Sequence, residues 1–589
     1  MSFRAIDDFA LWLIVPLAIA FLVGGADDLA IDFAWIYAWL ADRLTISRRD
    51  LRRRPFAPPV PIAVLVPLWK EHEVITRMLE HNLAALRYPD YHIFAGVYAN
   101  DSRTEEAVAA ISEKYSNVHL AVCPHDGPTS KADCLNWIYQ NLGLYEEQNH
   151  TAFEIIVTHD AEDIIHPEEL SWINGYAAQY DFIQIPVLAL ATPFWALTHG
   201  VYCDEFAEYH ARDMVVRSRF GCFVPGAGVG TGYRREALEA LAAASSNRVF
   251  EPSGLTEDYE TGLRLYRMGF KQIFVPLTRL GPRTRNFVAT REYFPKRWRT
   301  ALRQRTRWVT GIALQGWERF GWKGSWSEVY WLWRDRKGLI ASPLGLLANS
   351  VFFYALARAL WTRFTPLDVA LTRATFAVQL WRMVVRMGCV ARVYGLWFAV
   401  GVPLRALYAN VINAFATTRA VAQYTVAKFR GHPLRWLKTE HSYPNRTALL
   451  AQKRRLGEIL VGSGFLQADA LDTALATQPP GARLGEHLVR TGALDEAALY
   501  DALGLQQGLP VARLAAPEVP VRIAHALPAP VAREWRVLPF KIAEGALFLA
   551  GPDLPVPAMI AAMRPFTALE IRFHLMAPSE YRLLADALL

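Results

Sequence analysis

The sequence has few cysteines and no motif that pairs them. Its 589 residues include five cysteines, none of which lies in a CxxC pair or at a regular spacing. This pattern excludes a disulfide-stapled framework and a zinc site built from paired cysteines, and it predicts reduced thiols in a protein that faces the cytosol. The phosphate-loop pattern GxxxxGK[ST] is also missing, which excludes a P-loop ATPase.

A large excess of charge of one sign is missing too. Lys plus Arg total 63 against 56 Asp plus Glu, a formal net charge of +7. The excess is modest for this length and is concentrated beside apolar stretches, so we interpret it as charge that flanks a lipid bilayer and predict no nucleic-acid partner. A chain this long exceeds one hydrophobic core, which favours two or three domains.

The first apolar run, from Phe9 to Gly25, contains no charge and is close to the shortest length that spans a membrane. A cleaved signal peptide would begin with basic residues, whereas Asp7 and Asp8 precede this run. We therefore expect an uncleaved anchor. Six arginines follow between positions 43 and 54, and the positive-inside tendency then holds the next domain in the cytoplasm.

Two further apolar zones cover about 338–360 and 393–416. The arginine-containing stretch 363–392 lies between them, and charge is costly in lipid, so we interpret that stretch as an interfacial or half-buried helix. An even number of crossings keeps both flanking regions cytoplasmic, and we choose two. This choice places the arginine-containing stretch on the outer side, against the positive-inside tendency.

Between residues 59 and 320 short β-type runs alternate with helical patterns, which predicts an α/β domain with a doubly wound, mainly parallel sheet. Ligands of such sheets bind at the carboxyl ends of the strands, so polar residues at those ends are candidates. Glu71 and Asp101 follow the first two strands, and Lys131 starts a helix in "PTSKADCLN".

Asp160 and Glu162 follow a hydrophobic strand in "FEIIVTHDAED". Alternate residues of an extended backbone point to the same side, so the two carboxylates can share Mg²⁺ or Mn²⁺ with a diphosphate. An acidic loop or a helix N-terminus is the alternative for this segment taken alone.

Two more motifs follow, "LTEDY" with Glu257 and Asp258, and "QRTRW" with Gln304, Arg307 and Trp308. The first also reads as a helix start capped by a threonine, and the second as a basic amphipathic helix on a membrane. In this order along the chain, however, a strand-end Asp, a DxE, a TED and a QxxRW form a combination that is more specific than any one of these motifs alone.

Residues 60–320 thereby resemble the processive family-2 glycosyltransferases of the cellulose-synthase type, which have a GT-A fold. The resemblance implies a UDP-sugar substrate, with Glu71, Asp101 and Lys131 at the nucleotide and Asp160 and Glu162 at the metal. It further implies that Asp258, beside Glu257, is the general base of an inverting transfer. The segment that contains Gln304, Arg307 and Trp308 would hold the acceptor and the pyrophosphate.

The last domain contains one two-helix pattern twice, at 454–478 and 483–507, with an offset of 28 residues. A purely structural helical hairpin is one interpretation of its leucines. The pair also resembles the tandem motifs of the MshEN domain, which implies binding of cyclic-di-GMP. The contacts carried over by this resemblance are Arg455, Leu456, Gly457, Gly464, Leu475 and Gln478 in the first copy, and Arg483, Leu484, Gly485, Gly492, Leu503 and Gln506 in the second.

The whole order resembles the bacteriophage-adsorption protein B family of bacterial inner membranes. This resemblance implies four parts: an anchor with a basic segment at 1–58, a glycosyltransferase domain at 59–320, interfacial and transmembrane helices at 321–440, and an MshEN-type α+β domain at 445–589. We expect a multi-pass inner-membrane synthase with cytoplasmic catalytic and C-terminal domains. Cyclic-di-GMP would activate it to polymerise an N-acetylhexosamine, and an outer-membrane export partner is implied. The alternatives are an inactive scaffold or receptor and an enzyme that transfers one sugar to a lipid.

Overall fold

The computed structural model describes residues 3–45, 57–280, 286–430, 456–462, 465–479, 481–507, 509–543 and 546–589. The chain divides into two compact units, Met1–Met78 with Arg87–Tyr443, and Leu79–Leu86 with Pro444–Leu589. Each unit is described by itself.

The first unit is built on a seven-stranded sheet with the strand order β3-β2-β1-β4-β7-β5-β8. The strands of this sheet are β1 Ile62–Pro67, β2 Tyr91–Tyr98, β3 Val118–Cys123, β4 Ile155–Thr158, β5 Phe182–Gln184, β7 Thr231–Arg234 and β8 Gln272–Phe274. All neighbouring pairs are parallel except those of β7, which runs antiparallel to β4 and β5. The prediction of a doubly wound, mainly parallel sheet is confirmed.

The central strand β1 shows why this segment forms a sheet interior. Ile62, Ala63, Val64, Leu65 and Val66 are all fully buried. Strands that are covered on both faces by helices have continuous apolar runs instead of alternating ones. A second sheet pairs β6, Val187–Ala189, with β9, Thr290–Glu292, in parallel.

Helices cover both faces of the sheet and continue beyond it. Before residue 431 the α-helices are Phe3–Thr45, Ile75–Ala85, Ser102–Lys114, Lys131–Asn149, Glu169–Ala177, Leu197–Glu208, Met214–Arg219, Arg235–Ala244, Glu257–Arg267, Trp298–Trp308, Gly316–Phe320, Trp326–Arg336, Gly338–Ala357, Pro366–Tyr394, Leu396–Val400 and Val402–Arg430. Short π-helical turns at Tyr209–Asp213 and Val309–Gln315 follow two of them.

Two of the described helices are long and apolar enough to cross a membrane, Phe3–Ala41 and Gly338–Ala357. The third apolar zone of the sequence is different, because its helix breaks at Gly395 and again at Gly401. Arg405 in that zone is fully buried and forms an ion pair with Asp204 of the α/β domain. The zone therefore packs on the protein. The arginine-containing stretch before it forms a single helix, Pro366–Tyr394.

The second unit begins with four short helices and ends with a small sheet. Its helices are Leu456–Gly462, Ala468–Thr477, Leu484–Arg490, Glu496–Gln507, Val521–Ala524, Ala529–Glu534, Pro557–Met563 and Pro578–Leu588. Its strands are β10 Leu538–Ala543, β11 Ala546–Gly551 and β12 Glu570–Leu575. β11 lies in the middle, antiparallel to β10 and parallel to β12.

Candidate functional site

A cleft opens at the carboxyl edge of the main sheet, where parallel α/β sheets bind their ligands. It collects polar residues from segments that lie far apart in the sequence. The candidates from the sequence that line it are Glu71, Lys131, Asp160, Glu162, Glu257, Asp258, Gln304, Arg307 and Trp308.

Lys131 brings a positive charge among the carboxylates of the cleft. Its Nζ lies 2.5 Å from Oδ1 of Asp160 and donates to the carbonyl oxygen of Gly228 at 3.3 Å. Burial lowers the pKa of Lys131, but the attraction of Asp160 and Glu257 outweighs burial and raises that pKa above its ordinary value. The ammonium group therefore stays charged at neutral pH.

The loop that contains Gly228 passes very close to this ion pair. Gly228 has a φ of +78°, and a Cβ on it would lie 3.0 Å from both Asp258 Oδ2 and Lys131 Nζ. A Cβ on Gly226 would lie 2.7 Å from the backbone oxygen of Asp258. Glycine is thus required here so that the loop can pack against the two charged residues.

The DxE segment differs from the extended backbone expected from the sequence. β4 ends at Thr158, and Asp160 and Glu162 belong to a turn. The turn closes because Asp163 Oδ2 accepts the backbone N–H of Asp160 at 3.0 Å. Both predicted metal ligands still line the cleft. Asp163 instead contacts His159 in the protein interior.

Glu257 and Asp258 begin the helix Glu257–Arg267, with Thr256 at the N-cap position but without a capping side-chain bond. Burial, together with the charge of the neighbouring Asp258, raises the pKa of Glu257 to about 7. Burial also raises the pKa of Asp258, against the opposing charge of Lys131. A carboxylate with a raised pKa is a stronger proton acceptor than an ordinary one.

The QxxRW motif ends the helix Trp298–Trp308, whose last turn lines the cleft. Arg307 Nη1 donates to the carbonyl oxygen of Leu255 at 3.1 Å. Its Nε and the Oε1 of Gln304 are buried and have no hydrogen-bond partner among the described residues. The ring of Trp308 packs edge-on against Tyr202, with 5.9 Å between the ring centroids. The motif thus leaves one buried donor and one buried acceptor unpaired in the wall of the cleft.

Asp101 is the one candidate of this unit that does not line the cleft. Its Oδ2 accepts the backbone N–H of Lys70 at 2.5 Å, so it supports the turn that presents Glu71. Lys70 has a φ of 54°, an uncommon value for a residue with a side chain. Asp101 therefore supports the position of Glu71 in the cleft wall through the backbone of Lys70.

Other cleft residues were missed from the sequence. Trp69 lies just after β1, and Tyr98 ends β2. Both line the cleft, and their rings meet edge to face with centroids 5.4 Å apart. Their position at strand ends was a usable signal, because the same rule selected Glu71. Glu292 at the end of β9 also lines the cleft. Burial raises the pKa of Glu292, and Asp163, Glu162 and Asp160 raise it further. No sequence motif marks it.

Comparison with known proteins agrees with this geometry. Residues 58–311 match the family model described as "Glycosyltransferase like family 2", and residues 507–588 match the MshEN domain model. Bacteriophage adsorption protein B of Escherichia coli strain K12 is 34% identical over 606 residues, which cover 96% of this chain and 81% of that protein. Bacteriophage N4 adsorption protein B of Escherichia coli O157:H7 gives the same values.

The chain belongs to the bacteriophage adsorption protein B family. It is a family-2 glycosyltransferase with a GT-A-like catalytic fold and a C-terminal MshEN domain, a type of domain that binds cyclic-di-GMP.

Two solved structures are also similar. A mannosyltransferase from Pyrobaculum calidifontis, PcManGT in complex with GDP-Man and Mn²⁺, is 18% identical, with a TM-score of 0.42 over 67% of this chain and 99% of that one. The structure of MshE with cdg is 28% identical, with a TM-score of 0.20 over 23% of this chain and 100% of that one.

The second compact unit contains the MshEN match and the repeat that precedes it, and we call it the MshEN unit. Its repeated glycines are packing positions. A Cβ on Gly457 would lie 2.9 Å from Leu471 and 3.5 Å from Leu484 of the other copy. A Cβ on Gly485 would lie 2.6 Å from Leu499 and 3.2 Å from Leu456. Each glycine thus faces a leucine of its own copy and one of the other copy. The two copies are related by a local twofold arrangement.

The other carried-over residues of this unit differ in exposure. The side chain of Arg483 is 88% exposed and its nearest carboxylate, Glu486, is 3.9 Å away. Leu475 is half exposed, Leu503 packs against the helical core, and Gly492 has a φ of +72° after a helix. Gln478 donates to the carbonyl oxygen of Ala482, and Gln506 lies in the helix Glu496–Gln507. Arg455 and Gly464 lie outside the described residues.

Proposed function

We propose that this protein polymerises an N-acetylhexosamine from a UDP-sugar into a secreted polysaccharide at the bacterial inner membrane. The convergence of Lys131, Asp160, Asp258 and Arg307 on one cleft is the observation that carries the proposal. Their charges match the needs of a sugar diphosphate, since cations face the phosphates and carboxylates face a metal and a proton. Family membership supports the further expectation of an outer-membrane export partner.

Asp258 is assigned as the general base. Its burial and raised pKa favour removal of the proton from the acceptor hydroxyl as that oxygen attacks the anomeric carbon, with inversion of configuration. Lys131 at Asp160 and the guanidinium group of Arg307 line the cleft and would stabilise the charge that develops on the departing diphosphate. Trp308 supplies an apolar face for a sugar ring.

Asp160 and Glu162 would hold Mg²⁺ or Mn²⁺, and the ion would supply Lewis-acid stabilisation of the diphosphate. The donors fit, because both are carboxylates and hard divalent cations prefer oxygen ligands. Among the described residues no group of three or more His, Cys, Asp or Glu side chains has the geometry of a complete metal site.

The MshEN unit is assigned as an activating receptor for cyclic-di-GMP. The reciprocal contacts of Gly457 and Gly485 support this, because a twofold-related pair of motifs suits a ligand with two equivalent halves. Arg483 is exposed and can bind a phosphate, which guanidinium groups bind through two parallel hydrogen bonds.

Membrane insertion of the first unit is supported by two layers of ion pairs. In one layer, Arg358 donates to Asp7 at 3.2 Å, and Arg363 pairs with Asp8. In the other layer, Lys337 contacts Asp27 at 2.7 Å. The helix Phe3–Thr45 and the helix Gly338–Ala357 are therefore antiparallel neighbours.

The distance between these layers matches a bilayer. From Asp8 to Asp27 a helix advances about 28 Å, close to the roughly 30 Å of the hydrocarbon core. The helix Pro366–Tyr394 returns across the same thickness, because Arg363 before it pairs with Asp8 and Arg382 within it contacts Asp32 at 3.2 Å. We propose three crossings, with the N-terminus outside and the glycosyltransferase domain inside.

Cysteine labelling tests this topology in a variant in which the five native cysteines are replaced by serine or alanine. A membrane-impermeant maleimide added to intact spheroplasts should label Asp368→Cys, at the outer start of the returning helix. It should not label Glu106→Cys, an exposed position of the helix Ser102–Lys114 in the glycosyltransferase domain, until the membrane is permeabilised. Protection of Asp368→Cys would contradict the return crossing.

The catalytic proposal is tested in membrane vesicles that contain the full chain, with radiolabelled UDP-N-acetylglucosamine and UDP-N-acetylgalactosamine as donors. We expect polymeric product that increases when cyclic-di-GMP is added and disappears in Asp258→Asn. A product with a single sugar on lipid would show that the enzyme is not a polymerase. Incorporation that is independent of cyclic-di-GMP would contradict the activating role of the MshEN unit.

A further inference from the structure

His159, the residue immediately before the DxE turn, lies between two carboxylates in the protein interior. Its Nδ1 forms a hydrogen bond of 2.8 Å with Oδ2 of Asp163, whereas its Nε2 is 3.0 Å from Oε1 of Glu169 in an ion-pair contact without hydrogen-bond geometry. The side chains of all three residues have no exposed surface. Such an arrangement is costly to bury, because every charged or polar atom must find its partner away from water.

The first carboxylate connects His159 to the backbone of the turn. Oδ2 of Asp163 accepts both from the His159 ring and from the backbone N–H of Asp160 at 3.0 Å. A carboxylate held by the ring cannot rotate away from that N–H without losing a buried hydrogen bond. The ring therefore fixes the conformation in which Asp160 and Glu162 face the cleft.

The second carboxylate connects His159 to the other walls of the cleft. Oε2 of Glu169 accepts from the hydroxyl of Thr290 at 3.0 Å, and Thr290 begins the strand that ends at Glu292. A Cβ on Gly230 would lie 2.4 Å from Oγ1 of Thr290, so the glycine-rich loop packs on the same hydroxyl. The turn, the strand β9 and the loop thus share one buried network.

We infer that His159 is a positioning residue that holds the DxE turn in its metal-binding conformation through Asp163 and holds β9 in register with that turn through Glu169 and Thr290. The inference rests on the proposed function, because it takes Asp160 and Glu162 as the metal ligands. Outer partners of this kind orient the groups that bind the ion, and their loss typically weakens metal affinity by about 10–100-fold.

The experiment measures Mn²⁺ binding by electron paramagnetic resonance on the detergent-solubilised full chain in the presence of UDP, together with the thermal unfolding midpoint. We expect His159→Leu to weaken Mn²⁺ binding by about 10–100-fold. His159→Gln retains one N–H donor and should recover part of the affinity. Thr290→Val removes only the hydroxyl that holds Glu169, and it should weaken Mn²⁺ binding by a smaller factor even if His159→Leu does not fold.

His210→Gln is the matched control. His210 is a second buried histidine, its ring stacks on Phe274, and its Nδ1 has no hydrogen-bond partner among the described residues. This variant should lower the unfolding midpoint and leave Mn²⁺ affinity unchanged.

Wild-type Mn²⁺ affinity in both Thr290→Val and His159→Gln, with loss of stability alone, would overturn the positioning role. Asp160→Asn separates that failure from a failure of the proposed function. If Asp160→Asn binds Mn²⁺ as the wild type does, the metal assignment itself is wrong and the positioning role is overturned with it.

Discussion

The catalytic cleft and the repeated motif of the MshEN unit use charge in opposite ways. In the cleft the charged side chains are half-buried and bound to one another, as in the contact of Lys131 with Asp160. In the repeat Arg483 is almost fully exposed and its nearest carboxylate is 3.9 Å away. The charges of the cleft are therefore held by ion pairs within the protein, whereas the repeat leaves its charge in water.

Glycine allows close packing of the backbone in both regions. Gly228 brings a loop against Lys131 and Asp258, and Gly485 brings a helix against Leu499 and Leu456. In both regions a glycine lets the backbone pack closely against side chains. The two regions differ in how far their charged side chains are exposed. A change of charge should alter chemistry in the cleft and only ligand affinity in the repeat.

The largest expected effect is that of Asp258→Asn. Removal of the general base should lower kcat by about 10²–10⁴-fold, while UDP affinity changes little. Sugar incorporation and UDP calorimetry measure the two. Glu260→Gln is the control, because Glu260 lies on the same helix but pairs with Arg319. Turnover of Asp258→Asn at the rate of Glu260→Gln would exclude Asp258 as the base.

Arg483→Ala should weaken cyclic-di-GMP binding by about 10–100-fold, because a hydrogen bond to a charged group contributes about 1.5–3 kcal/mol. Stability should not change, since the side chain is exposed. Arg490→Ala, at the other end of the same helix, is the control in calorimetric titrations. Equal affinities of the two variants would remove Arg483 from the binding site.

Gly485→Ala should destabilise the MshEN unit by about 1–3 kcal/mol, because the added methyl group overlaps Leu499 and overpacks the helix contact. Gly143→Ala is the opposite case, a glycine in the helix Lys131–Asn149 with open space around it. That substitution should stabilise the protein by up to about 1 kcal/mol, through helix propensity. Denaturant unfolding of both variants measures the difference, and an unchanged midpoint in Gly485→Ala would contradict the packing role.

Stability is also expected to depend on pH. The pKa of Glu257 is raised from 4.5 to about 7 in the folded protein, so the folded state holds its proton more tightly than the unfolded state. The stability that Glu257 contributes is complete below about pH 4.5 and is lost as the pH rises through about 7, with a slope of at most about 1.4 kcal/mol per pH unit. Glu257→Gln should remove this slope from unfolding curves recorded between these pH values. A slope that persists in the variant would assign the proton to another group.

The sequence by itself determined the alternation of strands and helices, the buried run of β1 and the position of the repeat. Apolar periodicity and chain-local hydrogen bonding specify such features, and neighbouring residues encode both. It also identified the side-chain types that the cleft needs, because a sugar diphosphate demands carboxylates and cations wherever the chain supplies them.

Only the tertiary structure decided which of those side chains meet. Asp160 and Glu162 belong to a turn instead of a strand, Glu292 joins the cleft from β9, and Asp101 acts through the backbone of Lys70. Arg382 forms an ion pair with Asp32, although the two residues lie far apart in the sequence. The order of strands in the sheet and the pairing of buried charges set these contacts, and both depend on residues that are distant in the chain.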